Sequence, residues 1–64
     1  METNQQATQN ETAVWFEIFG RYNGRWEYLT AEDTRDDADD TRRTYEENEP
    51  GTVFKVVRRR GLAS

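Results

Sequence analysis

The eleven residues Ile18-Phe19-Gly20-Arg21-Tyr22-Asn23-Gly24-Arg25-Trp26-Glu27-Tyr28 decide how this chain folds. Asn23-Gly24 is a strong hairpin signal, because both residues tolerate positive φ. The segments on either side are rich in aromatic and β-branched side chains, which suit a pleated, half-buried surface. Residues 13–21 therefore read as one strand and residues 25–30 as its return. The loop type sets the register. A two-residue loop pairs Tyr22 with Arg25 and spreads the aromatic residues over both faces. A three-residue loop with Gly24 in a G1 bulge pairs Arg21 with Arg25 instead. That second register puts Val14, Phe16, Ile18, Gly20, Trp26 and Tyr28 on one face, with Trp26 opposite Gly20. Because register follows the face that is buried, the sequence predicts the three-residue loop. Its cost is two facing arginines near the tip, where solvent screens them.

Working outward, Thr34 has the character of an N-cap, and Asp37 three positions on forms an imperfect capping box. Ala38, Thr41, Tyr45 and Asn48 follow at helical spacing, and Pro50-Gly51 stops the helix. Residues 52–59 read as a third strand with Phe54 and Val56 inward. The expected fold class is α+β, with element order ββαβ. Its three-stranded antiparallel sheet has strand order 2-1-3, and one helix covers one face. Residues 13–60 form the single domain. Residues 1–12 are Gln/Asn/Thr-rich without apolar periodicity and are expected to be a disordered tail. Residues 61–64 are expected to fray.

A 64-residue chain holds one small core. Without cysteine or histidine it lacks the residues for disulfides, thiolate metal sites and the commonest general base. No apolar run approaches the length of a membrane span, and no signal peptide is expected ahead of the domain. The expectation is a cytoplasmic protein with no membrane, cofactor or metal partner. Carboxylates are plentiful, but on one helix they radiate outward and do not converge on a sheltered point, so the sequence predicts no enzyme.

Charge is unevenly spread. Residues 31–49 hold nine acids and three arginines, a net of −6, while the remainder nets +2; together they give the chain's −4. Glu32, Asp33, Asp36, Asp37, Asp39 and Asp40 form a candidate acidic face. Aspartate is a poor helix former, and Glu32/Asp36, Asp33/Asp37 and Asp36/Asp40 stand at like-charge spacing that costs a few tenths of a kcal/mol each. The plain reading is a solvated helix face that aids solubility; the local conflict raises the competing reading, attraction to a basic partner surface. A second candidate surface is the outer side of the sheet. There Trp15, Phe19, Leu29, Val53 and Val57 are expected among Glu17, Arg21, Glu27, Lys55 and Arg59, as a contact for a partner or for a second copy. A third reading uses Arg21, Arg25, Lys55, Arg58, Arg59 and Arg60 to bind nucleic acid. The sequence disfavours it, since the acidic helix would repel phosphates.

The stretch from Val14 to Arg59 resembles small ββαβ accessory proteins encoded by phages and mobile elements. The likeness rests on the aromatic hairpin with Asn23-Gly24 and Trp26, the helix start T-R-D-D-A at Thr34 to Ala38, Tyr45, and F-K-V-V-R-R at Phe54 to Arg59. It implies a small inhibitor of host defence, anti-CRISPR proteins included, and brings no catalytic residue. The function expected is thus a protein-binding inhibitor or modulator, dimeric or not, whose acidic helix engages a basic, nucleic-acid-handling host protein such as a CRISPR effector. The alternatives are a nucleic-acid-binding module and a structural dimerisation domain.

Overall fold

A computed structural model of the chain describes residues 12–62. The elements run β1 (Thr12–Tyr22), β2 (Arg25–Glu32), α1 (Arg35–Asn48) and β3 (Phe54–Leu62). The sheet has strand order β2-β1-β3, with both pairings antiparallel. This is the α+β architecture that the residue pattern predicts. Several boundaries differ: β1 runs on to Tyr22, β2 runs on to Glu32, and β3 begins at Phe54. Thr12 and Ala13 pair with Leu62 and Gly61, so Thr12 belongs to β1 rather than to the tail, and residues 61 and 62 extend β3 instead of fraying. The rest of the expected tail, residues 1–11, and residues 63 and 64 lie outside the described residues.

The hairpin register is the main correction. Tyr22 pairs with Arg25, Arg21 with Trp26, Gly20 with Glu27 and Phe19 with Tyr28. The loop is therefore the two-residue Asn23-Gly24, with φ of 54° and 77°. Positive φ at both central residues is the type I′ requirement, and that turn's twist matches the twist of the strands it joins. The three-residue alternative would have set Arg21 against Arg25; here each has an aromatic partner instead. Further along, Ile18 pairs with Thr30, so Leu29 is the extra residue of a β-bulge. Leu29 packs against the core, not on the outer face where the longer loop would have put it. Beyond the bulge Glu32 comes onto the helix side, and its carboxylate accepts a 2.8 Å hydrogen bond from the Thr41 hydroxyl.

Along β1, Phe16, Ile18 and Gly20 are buried and face the helix. Ile18 is completely buried, as is Ala38 of α1, and with Phe16 they make the core. Val14, Leu29, Tyr45 and Val56 pack around it, and the Tyr45 and Phe54 rings meet at 5.5 Å. Thr41 and Tyr45 are half-buried, while Asn48, expected inward, is exposed because the helix ends there. Thr34 caps α1, its Oγ1 accepting from the Asp37 amide at 3.1 Å. Gly20 is covered by Tyr22 and Phe54 rather than by Trp26. A Cβ at Gly20 would stand 2.7 Å from a Tyr22 ring carbon and 3.0 Å from a Phe54 ring carbon.

Two glycine substitutions separate turn strain from packing strain. Gly24→Ala meets open space and bears only the left-handed backbone cost, about 1–2 kcal/mol. Gly20→Ala forces apart two aromatic rings, an overpacking cost of about 1–3 kcal/mol. Urea denaturation measures both. Nuclear Overhauser contacts between Phe19 and Tyr28 should accompany the two-residue loop, whereas contacts of Ile18 with Tyr28 as opposed residues would restore the longer one.

Candidate functional site

The two-residue turn rearranges the outer face of the sheet. With Trp26 opposite Arg21 and Tyr28 opposite Phe19, both rings lie on the side away from α1. They join Trp15 and Phe19 of β1, and Lys55, Val57 and Arg59 of β3, which pair there with Phe19, Glu17 and Trp15. Sequence reasoning placed Trp26 and Tyr28 in the core. The signal that could have moved them was the Asn-Gly pair itself, whose preferred loop is the two-residue one. Trp26 is 38% and Tyr28 56% exposed. Among the described residues, no element lies over this face.

Its side chains form an interleaved set of rings and cations. Phe19 and Tyr28 meet edge to face at 5.9 Å. The Lys55 ammonium stands 4.2 Å from the Trp26 ring centre and 5.7 Å from that of Phe19. The Arg21 guanidinium lies 5.4 Å from Trp26, and that of Arg59 lies 6.0 Å from Phe19. Such contacts hold a cation through the negative face of the ring. Trp15 lies across Gly61, where a Cβ would come within 3.1 Å of the indole. Its Nε1 donates to Glu17 Oε2 at 2.9 Å, and Arg59 Nε donates to Glu17 Oε1 at 2.9 Å. The Trp15 hydrogen bond, then that from Arg59, holds the Glu17 carboxyl below the usual glutamate range, against a smaller opposing effect of burial. Among the described residues, Arg21 and Lys55 form no ion pair, so the face keeps a positive excess.

Strand alternation divides the basic run. Arg59 shares the outer face with Trp15, but Arg58 and Arg60 pair with Phe16 and Val14 and point to the opposite side. Arg25, paired with Tyr22, also lies on that side. The six basic residues singled out from the sequence are therefore not one patch; Arg21, Lys55 and Arg59 are brought together and Arg25, Arg58 and Arg60 are not. Val53 precedes β3, is 59% exposed, and accepts the Arg21 amide at its carbonyl.

The acidic face is weaker than its composition suggests. Asp39 is paired with Arg35 and Arg42, Asp40 with Arg43, and Glu46 with Arg42, at 2.8–3.7 Å. Glu32 is occupied by Thr41. Glu32 and Asp33 precede the helix, so of the three like-charge pairs only Asp36/Asp40 has helical geometry. Asp36 and Asp37 occupy the first turn, where the helix dipole favours them. Among the described residues, Asp33, Asp36, Asp37 and Glu47 form no ion pair. No cluster of His, Cys, Asp or Glu there could hold a metal ion, and no helix there is long and apolar enough to cross a membrane. Searches against protein-family models, curated proteins and solved structures found no match to this chain.

Two hydrogen bonds give stability a pH signature at opposite ends of the scale. Glu17, with its lowered pKa, stabilises the fold above the ordinary glutamate pKa of about 4.3, and that stability is lost as pH falls through the lowered folded value. The Tyr22 hydroxyl donates to Glu49 Oε1 at 2.9 Å. That bond, then burial and the nearby carboxylates, raises its pKa. Its stability is present below the ordinary tyrosine value of about 10 and is lost as pH rises through the raised folded value. Thermal melts across pH should show Glu17→Gln flattening the acid limb and Tyr22→Phe flattening the alkaline limb.

Proposed function

We propose that this chain is a binding module that takes its partner on the outer face of the sheet, and that it acts by occupying that partner rather than by chemistry. One observation carries the reading: Trp15, Phe19, Trp26 and Tyr28 share a face with Arg21, Lys55 and Arg59, and among the described residues nothing covers it. A single exposed ring needs no explanation, but a contiguous group does. Tryptophan, tyrosine and arginine are also the residues that dominate binding hot spots. In this arrangement four aromatic residues of a 64-residue chain lie off its small core.

The second reading is the inhibitor of the phage type, with the acidic helix set against a basic, nucleic-acid-handling host protein. Asp33, Asp36 and Asp37 at the start of α1, with Glu47, support it, since among the described residues they carry charge that no arginine neutralises. Attraction of this kind acts mainly on association rate and is screened over about 8–10 Å at ordinary salt. A homodimer through the sheet face remains the structural alternative.

One comparison distinguishes these readings. Affinity capture from a lysate, with proteins and nucleic acids both quantified, is run with three baits: the wild type, Trp26→Ser, and the helix variant Asp36→Lys/Asp37→Lys/Asp40→Lys. Sheet-face binding expects Trp26→Ser to lose the captured partner and the helix variant to keep it. The reverse pattern supports the acidic-helix reading. Retention by both baits removes both readings.

A further inference from the structure

We infer that the ligand of the outer sheet face is single-stranded nucleic acid; this rests on the sheet-face reading above. The face offers two chemistries at once: aromatic rings, with Trp26 and Tyr28 exposed and Trp15 and Phe19 half-buried, and cations held over them. A single strand is the macromolecule that presents their two complements at matching intervals, flat bases with free π-faces and a phosphate for each base. A duplex keeps its bases stacked on one another and leaves only the phosphates. Aromatic rings on sheets and grooves stack successive unpaired bases with little regard to sequence, because every base has a π-face.

Geometry supports the match. Trp15 and Phe19 are four residues apart on one face of β1, about 13 Å at strand rise. Trp26 and Tyr28 lie beside Phe19 on the next strand, so three rings cluster at one end and Trp15 stands at the other. Lys55 lies over Trp26 at 4.2 Å and near Phe19 at 5.7 Å. A base stacking on Trp26 displaces the ammonium toward the ring edge, where the phosphate of the same nucleotide arrives. Arg21 stands on Trp26 in the same way at 5.4 Å. Arg59 is partly spoken for by Glu17, which leaves Arg21 and Lys55 as the principal phosphate partners.

The acidic helix does not oppose this as the sequence suggested. Asp36, Asp37 and Glu47 are exposed on α1, which packs on the opposite side of the sheet, a layer of about 10 Å or more from the outer face. That exceeds the screening length of about 8 Å at physiological salt. The strand contacts proposed, ring faces and phosphates, are common to DNA and RNA.

The test uses fluorescence anisotropy of short labelled oligo-dT and oligo-U, a duplex of equal length, and inorganic polyphosphate as competitor, with sedimentation of the free protein. Both single strands should bind and quench tryptophan emission, and the duplex should bind much more weakly. The log–log salt slope should be about −1.4 for two phosphates on a single strand. Trp26→Ala should weaken binding about 5- to 150-fold, the range for one lost base stack. Lys55→Gln should reduce the slope by about 0.7, and it keeps the test alive if Trp26→Ala fails to fold. Asp36→Ser/Asp37→Ser should leave affinity unchanged. Duplex binding as tight as single-strand binding, or equal displacement by polyphosphate with no effect of Trp26→Ala, overturns the inference. Absence of oligonucleotide binding together with self-association that Trp26→Ala abolishes also overturns it, and assigns the face to a second copy of this chain. Absence of both overturns it, and capture in which Trp26→Ser retains every partner then removes the sheet-face reading as well.

Discussion

A turn of two residues governs which side of this sheet each aromatic ring occupies. Asn23 and Gly24 both sit at positive φ, a conformation open to few residue types. Closing the hairpin there fixes Tyr22 against Arg25, and every pairing up to Phe19 and Tyr28 follows from it. Because side chains alternate along a strand, a loop longer by one residue would send Trp26 and Tyr28 to the helix side. They would compete there with Tyr22, Tyr45 and Phe54 for the space beneath a single short helix. The helix sits close because Ala38 is small and fully buried, and a close helix has no room for two more rings. The turn and the thin helix stripe thus specify the same arrangement.

The bulge at Leu29 reconciles that turn with the core. It lets Leu29 pack inward, then reverses the parity so that Glu32 faces the helix and the small Ala31 lies opposite Glu17. The Glu32–Thr41 hydrogen bond ties the end of β2 to the second turn of α1. Tyr22 and Glu49 tie the other end of the helix to β1. Between these two polar ties lies an apolar contact of very few side chains. A core this small makes the cross-strand pairs on the outer face part of the stability of the sheet, each contributing roughly 0.2–1 kcal/mol. The rings that offer a binding surface are therefore also structural.

The element order, the strand order and the Thr34 cap were legible in the sequence because each rests on local signals: aromatic runs, a capping residue, Pro50-Gly51. The inward pair Phe54 and Val56 was legible from alternation in β3. The face of Trp26 and Tyr28 was not, because gathering them with Val14, Phe16 and Ile18 on one buried face outweighed a turn preference that acts on two residues only. The bulge is a non-local compromise between a turn and a core, and no residue in R-W-E-Y-L-T announces it. The ion pairs of α1 could have been read from spacing, since Asp39 and Arg42, Asp40 and Arg43, and Arg42 and Glu46 stand three or four apart. Net charge alone overstated the acidity of that face.

The same bulge shapes how the molecule can meet its own kind. A three-stranded sheet has two open edges, each a row of unpaired backbone groups that could template growth into a fibril. On β2 the extra residue interrupts that row at Leu29, so an incoming strand finds no continuous register. On β3 four of the nine residues, Lys55, Arg58, Arg59 and Arg60, are cationic, so a second copy laid alongside meets like charge in the registers that align them. One border is spoiled by geometry and the other by charge. Lateral extension of the sheet is thereby disfavoured at both borders, which offsets the hazard of leaving aromatic rings in solvent.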